Sequence, residues 1–303
     1  MKYLSFFFAS LVYCTITAKV LVITHSYCRP DLIVLQYRTL KKFLHDEYEF
    51  VVFNDAPKAP MAQLIDKACT ALNIRCIRIP QNIHSQPYLP REPGDGWLGP
   101  SIRHANCVQY SLDLIGFDHN GIVMILDSDM FLIRTFSLSQ YMENKHISAF
   151  IKTTPSEIDC LCPVLTILHM SKLPDKRSLN FNCGYIHGWP VDSGGWTHYY
   201  LIKHPELIVK PIYALYSHQL FLADKGVNHL ANIMVPLEIK KAFYRANCEF
   251  NRKEIAFLLK MPDSFEFYLD NHFLHYRGGS TTDTLNNSHK FRIFNEFLED
   301  ILS

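Results

Sequence analysis

Short apolar runs alternate with amphipathic segments through the first half of the chain. Residues 20–24 are a continuous run of β-branched and leucine side chains, which is typical of a strand buried on both faces of a parallel sheet. Apolar residues recur at helical spacing over residues 30–45, with a proline in the first turn. A strand at 50–53, a helix over 62–72 and a strand at 74–79 continue the pattern. This β-α-β-α-β order predicts right-handed crossovers and a mostly parallel sheet.

A long irregular stretch rich in proline and glycine follows, at residues 81–100. Loops of this length are commonly functional, so we expect this one to close over a bound ligand. Ser101 is suited to cap a helix that runs to about residue 114. Residues 121–126 form the most hydrophobic strand of the chain and lead directly into a polar turn.

The second half of the chain has a less regular pattern. Strands are expected at 146–152 and 182–187, and helices near 217–224 and 288–301. No linker rich in proline, glycine or serine separates the two halves. We therefore predict a single α/β domain, with a Rossmann-like, mostly parallel central sheet flanked by helices and a variable C-terminal half.

Composition excludes two classes of protein. The chain is 48% hydrophobic and 13% aromatic, which is too apolar for a disordered protein. Its 30 Lys and Arg residues balance 29 Asp and Glu residues, for a formal charge of +1. No global attraction to nucleic acid follows from that charge, and we expect no nucleic-acid partner.

Residues 1–18 have the pattern of a secretory signal peptide or an N-terminal membrane anchor. Lys2 supplies a positive charge, an apolar run follows, and Ala18 is a small residue at the end of that run. The alternative is a buried N-terminal element, but the strand at 20–24 already begins the sheet. We therefore expect the folded domain to span 19–303. This pattern predicts a secretory lumen, the cell envelope or the exterior, with membrane association through the N-terminus, while a cytoplasmic location remains open.

Nine cysteines are spread over the chain, and eight remain if residues 1–18 are removed. An even number in an oxidising compartment would permit disulfides, and scattered buried thiols are an equally good interpretation. Cys160 and Cys162 lack a second pair at zinc-ligand spacing. The cysteines therefore predict no zinc site.

Two carboxylates, Asp127 and Asp129, directly follow the most hydrophobic strand. The carboxyl end of a central strand faces the crevice in which α/β sheets bind ligands, and a turn there lets both carboxylates reach one ion. Hard oxygen ligands suit Mg²⁺ or Mn²⁺, ions that commonly bridge to substrate phosphates. Ser128 lies between the two acids as a further candidate contact to such a substrate. The alternative is an Asx turn that only ends the strand.

Three later segments add candidates in a fixed order along the chain: Phe-Asn-Cys-Gly-Tyr at 181–185, Ser-His-Gln-Leu at 217–220, and His-Tyr-Arg-Gly-Gly-Ser at 275–280. Together with the Asp-x-Asp turn, they resemble motifs of the nucleotide-sugar-dependent glycosyltransferases of GT-A fold. The resemblance is strongest to the retaining galactosyltransferase and glycogenin type, family 8 and its relatives. It covers roughly residues 19–280 through short motifs rather than continuous similarity. His218 replaces the usual aspartate, and the Lys-Pro-Trp that often follows the last motif is absent.

The resemblance implies a role for each matching residue. Asp127 and Asp129 would hold the metal that grips the donor diphosphate, with His275 as the third metal ligand. Asn182 would meet sugar hydroxyls, and Gln219 would lie beneath the sugar, so these two are the candidate catalytic residues. Each of these residues alone is also compatible with an ordinary structural role. Their order along the chain favours the functional interpretation.

The remaining candidates would bind the donor, because the family's nucleoside lies over the first strand ends and its phosphates near the last motif. Glycines let a backbone approach a ligand closely, and an arginine donates to phosphate. The candidate donor-binding residues are Thr24, His25, Asp55, Arg103, Ser128, Gly184, Arg277, Gly278 and Gly279.

The sequence therefore predicts a glycosyltransferase that uses Mn²⁺ or Mg²⁺ and a nucleotide-sugar donor, with a carbohydrate, protein or lipid as acceptor. We expect retention of configuration, because no acid is singled out as the base that inversion requires. One alternative is a haloacid-dehalogenase-type phosphotransferase with Asp127 as nucleophile and Asp129 as general acid and base. Another is a non-catalytic carbohydrate-binding protein on the same scaffold.

Overall fold

The apolar runs of the first half form the middle of a seven-stranded sheet. The computed structural model describes residues 19–85, 99–153, 157–216, 241, 256–258, 260, 264–279 and 288–303. The sheet's strands are β1 (Val20–Ser26), β2 (Tyr48–Asn54), β3 (Arg75–Arg78), β4 (Ile122–Leu126), β6 (Ile147–Thr153), β7 (Asp159–His169) and β10 (Val209–Ile212). Their order across the sheet is β10-β6-β7-β4-β1-β2-β3.

Four of the six strand pairings in this sheet are parallel, and β7 pairs antiparallel with both of its neighbours. The prediction of an α/β fold with a mostly parallel sheet is thereby confirmed. The sequence analysis missed β7. Its register shifts between Ala149 and Phe150 of β6, and the bulge places Pro163 where the ladder is already interrupted. A proline and two cysteines hide the strand pattern.

Helices cover both faces of the sheet because the strands are apolar on both faces. Consecutive residues of β1, such as Val22 and Ile23, belong to two different hydrophobic clusters, one on each face of the sheet. The first cluster takes in α1 (Pro30–Phe43) and α2 (Ala59–Ala71), and the second takes in α3 (Gly99–Ser111). Two shorter helices, α4 (Leu138–Met142) and α5 (Thr197–Lys203), lie between later strands.

A second, antiparallel sheet collects strands from distant parts of the chain. It consists of β5 (Met130–Leu132), β11 (Ala214–Tyr216), β12 (Phe265–Tyr268) and β13 (Phe273–Tyr276), in the order β11-β12-β13-β5. A third hydrophobic cluster joins it to the last helix, α6 (Ser288–Leu302), through aromatic rings such as Phe131 and Phe294, whose centroids are 4.8 Å apart. A hairpin of β8 (Gly184–Ile186) and β9 (Trp189–Val191) stands apart. Of these strands, the sequence predicted β8, approximately, through the strand expected at 182–187.

Several expectations fall on residues 1–18, 86–98 and 217–224, which lie outside the described residues. These expectations are the N-terminal signal or anchor, the central part of the closing loop, and the helix that contains Gln219. Across the described ranges, no helix has the length and apolar character needed to cross a membrane. The seven described cysteines form no disulfide with one another.

Candidate functional site

A cavity of about 630 Å³ opens at the carboxyl ends of the parallel strands, beneath the N-terminal half of α3. This is the edge at which open α/β sheets bind ligands. The residues that line it are His25, Tyr27, Asp55, Gly99, Pro100, Ser101, Arg103, His104, Cys107, Asp127, Ser128, Lys152, Cys162, Val164, Asp192 and Ser193. Five of the residues proposed from the sequence are among them: His25, Asp55, Arg103, Asp127 and Ser128.

A tight turn after β4 presents the two predicted carboxylates. The Met130 N–H donates to the Asp127 carbonyl at 3.0 Å, and the Ser128 N–H donates to Asp127 Oδ1 at 2.8 Å. A fully buried glutamine on α1 stabilises this turn through two hydrogen bonds. Gln36 Nε2 donates to the carbonyls of Asp127 at 2.7 Å and Met130 at 2.9 Å. The sequence analysis missed Gln36, which carries no motif and occupies a core-facing position of an amphipathic helix.

The second sheet brings a histidine to this turn. Strand β5 begins where the turn ends, β13 pairs with it, and His275 lies opposite Met130. The Tyr276 N–H donates to the Asp129 carbonyl at 2.8 Å, and His275 Nε2 lies 3.3 Å from Asp129 Oδ1. Three residues, Asp127, Asp129 and His275, each offer one possible ligand atom, and these three atoms lie within 4.8 Å of one another. The structure therefore brings together the three residues that were proposed as metal ligands.

The charged groups of this cluster interact strongly with one another. Burial and the neighbouring Asp129 raise the pKa of Asp127. Burial lowers the pKa of His275, but Asp129 and Glu266, on either side of the ring, outweigh it and raise that pKa to about 10. Two carboxylates and one imidazole at this spacing are a donor set for Mn²⁺ or Mg²⁺, and they leave coordination positions for ligand oxygens.

The glycine loop after β13 packs against the Asp-x-Asp turn. Gly278 has a φ of +69°, which favours glycine. A Cβ added to Gly279 would lie 2.9 Å from Asp129 Cβ and 2.2 Å from the Tyr276 ring, so only glycine fits there. The Gly279 N–H donates to the Tyr276 carbonyl at 2.9 Å, and the buried Arg29 side chain donates to the Gly279 carbonyl at 2.7 Å. This amide is thus engaged within the loop itself.

At one end of the cavity, Asp55 accepts hydrogen bonds from several side chains. Arg103 binds it through both carboxylate oxygens, Nε to Oδ2 at 2.6 Å and Nη2 to Oδ1 at 2.9 Å, and His84 Nε2 lies 2.7 Å from Oδ1. Burial raises the pKa of Asp55, but His84 and Arg103 outweigh it and hold the pKa below its usual value. The Tyr27 ring stacks on the Arg103 guanidinium at 4.9 Å. Arg103, proposed from the sequence as a sugar or phosphate ligand, is directed instead toward Asp55.

A second group of metal-compatible atoms, from Asp55, His84 and Cys107, also lies within 4.8 Å. The bidentate Arg103 guanidinium already neutralises that carboxylate. We therefore assign no metal to it.

Neighbouring residues of β1 differ in their access to the cavity. Burial and the nearby His104 lower the pKa of His25 to about 3, so its imidazole is neutral. Its Nε2 lies 3.0 Å from Ser111 Oγ. Thr24 is fully buried and is not part of the cavity wall.

At the opposite end, an ion pair that the sequence analysis missed lines the cavity. Lys152, at the end of β6, donates to Asp192, just after β9, at 2.8 Å. Burial raises the pKa of Asp192, but Lys152 outweighs it and brings that pKa to about 2. Burial lowers the pKa of Lys152, but Cys162 and Asp192 outweigh it and raise that pKa to about 12. The one available signal was the position of Lys152, a charged residue that ends a predicted strand.

The described residues proposed for the sugar pocket, Asn182 and Gly184, do not line the cavity. Asn182 is 1% exposed and does not line the cavity, and neither side-chain polar atom of Asn182 has a hydrogen-bond partner among the described residues. Gly184 has a φ of +142° and approaches the Trp196 indole. Gln219 lies outside the described residues. Gln109 of α3 accepts the Phe181 N–H at 3.0 Å, which ties this segment to the helix above the cavity.

No family model matches the chain, and no curated protein matches it. Among solved structures, it is similar to the mannosyltransferase PcManGT from Pyrobaculum calidifontis, solved with GDP-Man and Mn²⁺, at 12% identity over 95% of this chain and 86% of that one, with a TM-score of 0.40. It is also similar to the galactosyltransferase LgtC, solved with donor and acceptor sugar analogues, at 12% identity over 52% of this chain and 59% of that one, with a TM-score of 0.34.

A third similar structure is glucosyl-3-phosphoglycerate synthase from Mycobacterium tuberculosis, at 14% identity over 44% of this chain and 43% of that one, with a TM-score of 0.29. The matches to LgtC and to the synthase thus span about half the length of those proteins. Likeness at these scores transfers no activity to this chain, and its own residues must support any function.

Proposed function

We propose that this chain is a metal-dependent glycosyltransferase that moves a sugar from a nucleotide-sugar donor to a carbohydrate, protein or lipid acceptor. The observation that carries the proposal is the convergence of Asp127, Asp129 and His275 within 4.8 Å, with Asp127 in the wall of a cavity of about 630 Å³. The short motifs that resemble family 8 favour that type of enzyme.

The order of strands supports an orientation for the donor. Asp127 follows β4, Asp55 follows β2, and Lys152 is the second-last residue of β6. Two strand spacings separate β4 from each of the other two strands. Each separation corresponds to roughly 10 Å along the sheet edge. A nucleotide sugar has its diphosphate between nucleoside and sugar. In the proposed arrangement the diphosphate lies at Asp127, the nucleoside toward Asp55 and the sugar toward Lys152.

In the proposed mechanism, Asp127, Asp129 and His275 hold the metal, which as a Lewis acid would offset the charge that develops on the leaving diphosphate. The fully buried Gln36 keeps the turn in the shape that aims both carboxylates at one point. The Asp55–Arg103 pair and the Lys152–Asp192 pair present donors and acceptors at the two ends. Bound in this way, the donor is oriented before the reaction begins.

We propose retention of configuration. Among the described residues that line the cavity, each carboxylate already has a partner or a structural use: Asp55 binds Arg103, Asp192 binds Lys152, and Asp127 belongs to the turn. A pKa of about 2 also makes Asp192 a poor base. The anomeric configuration of the product, measured by NMR, tests this part of the proposal.

We further propose that residues 1–18 direct a domain of residues 19–303 into a secretory lumen, the cell envelope or the exterior. The charge of Lys2 and the apolar run behind it support this. N-terminal sequencing of the protein purified from its own cells would show whether the segment is removed, and fractionation would show the compartment.

A thermal-shift screen of nucleotide sugars with and without Mn²⁺, followed by product analysis, tests the main proposal. A donor that binds the folded protein raises its melting temperature by mass action. We expect at least one donor to do so only with Mn²⁺, and to be hydrolysed or transferred by the wild type. Donor binding without turnover would instead favour a non-catalytic carbohydrate-binding protein, and an acyl phosphate on Asp127 would favour a phosphotransferase. Absence of any Mn²⁺-dependent donor effect would overturn the proposal.

A further inference from the structure

A second carboxylate contacts His275 from the side opposite Asp129. Glu266 and His275 are direct partners in the β12–β13 register. His275 Nδ1 lies 2.8 Å from Glu266 Oε2, and His275 Nε2 lies 3.3 Å from Asp129 Oδ1. The Glu266 side chain is only 14% exposed. The imidazole therefore lies between two carboxylates, one on each ring nitrogen.

The Glu266 carboxylate is held in place by its own neighbours. The Tyr268 hydroxyl donates to Glu266 Oε2 at 3.2 Å, and Arg277 Nε lies 3.5 Å from Oε1. Tyr268 is on the same strand, and Arg277 directly follows β13. Glu266 is therefore fixed both by the strand pairing and by two donors, and its orientation toward Nδ1 does not depend on His275 alone.

Glu266 is placed to orient a ligand and not to be one. The atoms grouped within 4.8 Å belong to Asp127, Asp129 and His275, and Glu266 is not among them. A histidine that binds a metal through one ring nitrogen needs a lone pair on that nitrogen, and an acceptor for the N–H on the other nitrogen fixes that tautomer.

We propose that Glu266 is the positioning residue of the metal site: it accepts the Nδ1–H of His275 and so presents the Nε2 lone pair to a divalent cation that Asp127 and Asp129 share. This inference rests on the metal site of the proposed function. It adds a residue that belongs to no motif in the sequence and that lies nine residues before the histidine it orients.

Direct titration of the full chain with Mn²⁺, followed by electron paramagnetic resonance of the free ion, tests the proposal without any substrate. Glu266→Leu removes the acceptor, and we expect Mn²⁺ affinity to fall about 10- to 100-fold. Glu266→Gln keeps a carbonyl acceptor without the charge, and we expect it to recover most of that loss. The matched control is Glu49→Leu, which removes an exposed cross-strand partner of Arg75 and should bind Mn²⁺ as the wild type does.

A spectroscopic measurement separates orientation from general damage. In the Mg²⁺-loaded wild type, ¹⁵N NMR of His275 should show a proton on Nδ1 and none on Nε2. Glu266→Gln should keep this pattern. If Glu266→Leu does not fold, as judged by circular dichroism, the Gln variant and the wild-type spectrum still decide the question.

The outcomes separate this inference from the proposal beneath it. Wild-type Mn²⁺ affinity in Glu266→Leu overturns the role of Glu266 and leaves the metal site standing. A wild-type His275 that carries its proton on Nε2 when Mg²⁺ is bound overturns both the role of Glu266 and His275 as a ligand. Wild-type Mn²⁺ affinity in both Asp127→Asn and His275→Ala overturns the metal site itself.

Discussion

The two ends of the cavity are each closed by an ion pair, but the two pairs are built differently. The Asp55 side chain is 5% exposed and is bound by Arg103 and His84, whereas the Asp192 side chain is 44% exposed and is bound by the single cation Lys152. Separating a buried carboxylate from several donors costs much free energy. A half-exposed ion pair costs little to separate, so one of its members can bind a substrate hydroxyl instead. The Asp55 end therefore offers a rigid shape, and the Lys152 end offers adaptable polar contacts.

The largest expected effect lies between the two ends. Asp127→Asn or Asp129→Asn leaves both ion pairs intact and removes a charge from the proposed metal site. We expect turnover of the donor to fall by at least about 100-fold, with little change in the melting temperature. Initial rates at saturating Mn²⁺ measure this. Asp118→Asn, at an exposed partner of Arg177, is the control and should keep full activity. Equal activity in the three variants would contradict a central metal site.

Loss of the cation at the rigid end should be costly for stability. Arg103→Met leaves the buried Asp55 carboxylate with His84 as its main partner, and we expect the free energy of unfolding to fall by about 3 kcal/mol. Urea denaturation measures it. Arg75→Met breaks an exposed pair with Glu49 and should cost less than about 1 kcal/mol. If both variants lost a similar free energy of unfolding, the Asp55 end would be no more rigid than an ordinary surface ion pair.

Loss of the cation at the adaptable end should affect binding more than stability. Lys152→Met breaks a pair that is 41% and 44% exposed, so we expect the free energy of unfolding to change by less than about 1 kcal/mol. Donor affinity should change severalfold while affinity for the free nucleoside diphosphate stays constant, because only the donor carries the sugar. Isothermal titration with both ligands measures the difference. A parallel loss for both ligands would place Lys152 at the diphosphate instead.

The smallest effect concerns acid stability. In the folded protein the pKa of Asp192 is lowered from 3.8 to about 2. A depressed carboxyl pKa stabilises the fold above the unfolded value, and this contribution disappears as the pH falls through the folded value. The gain is a fraction of that for a buried pair because water screens Asp192. Melting temperatures between pH 5 and pH 2 should fall slightly less for Asp192→Asn than for the wild type. A steeper fall in the variant would reverse the sign of the effect.

Sequence reasoning succeeded where neighbours in space are also neighbours in the chain. The β1-α1-β2-α2-β3 run follows from hydrophobic spacing alone, and the Asp127–Asp129 turn follows from an apolar strand that ends in two acids. His275 was proposed only through its resemblance to a family motif. The structure places it beside Asp129 and leaves its role as a ligand to be tested.

The features that were missed depend on how strands pair and on which strand ends lie close together in space. Glu266 reaches His275 because β12 and β13 pair residue for residue, and nothing in the local sequence marks it. Lys152 and Asp192 form an ion pair because the end of β6 lies close to the end of the β8–β9 hairpin. Arg103 was proposed as a sugar or phosphate ligand, and the sequence could not reveal its contact with Asp55, which follows a different element of the chain. Partners of long polar side chains cannot be chosen before the topology is known.

The pairing of β5 with β13 also determines when the site can exist during synthesis of the chain. His275 lies 146 residues after Asp129 (275 minus 129). At roughly 5–20 residues per second, a ribosome needs roughly 7–30 s to add that length. Throughout this interval the strands of the first half can already pair, while β5, Met130 to Leu132, still lacks β13, the described strand that pairs with it. The proposed metal site is thus completed only when His275 has been added, and a ribosome that stalls before residue 275 leaves a chain with a formed sheet, an exposed edge and no complete site.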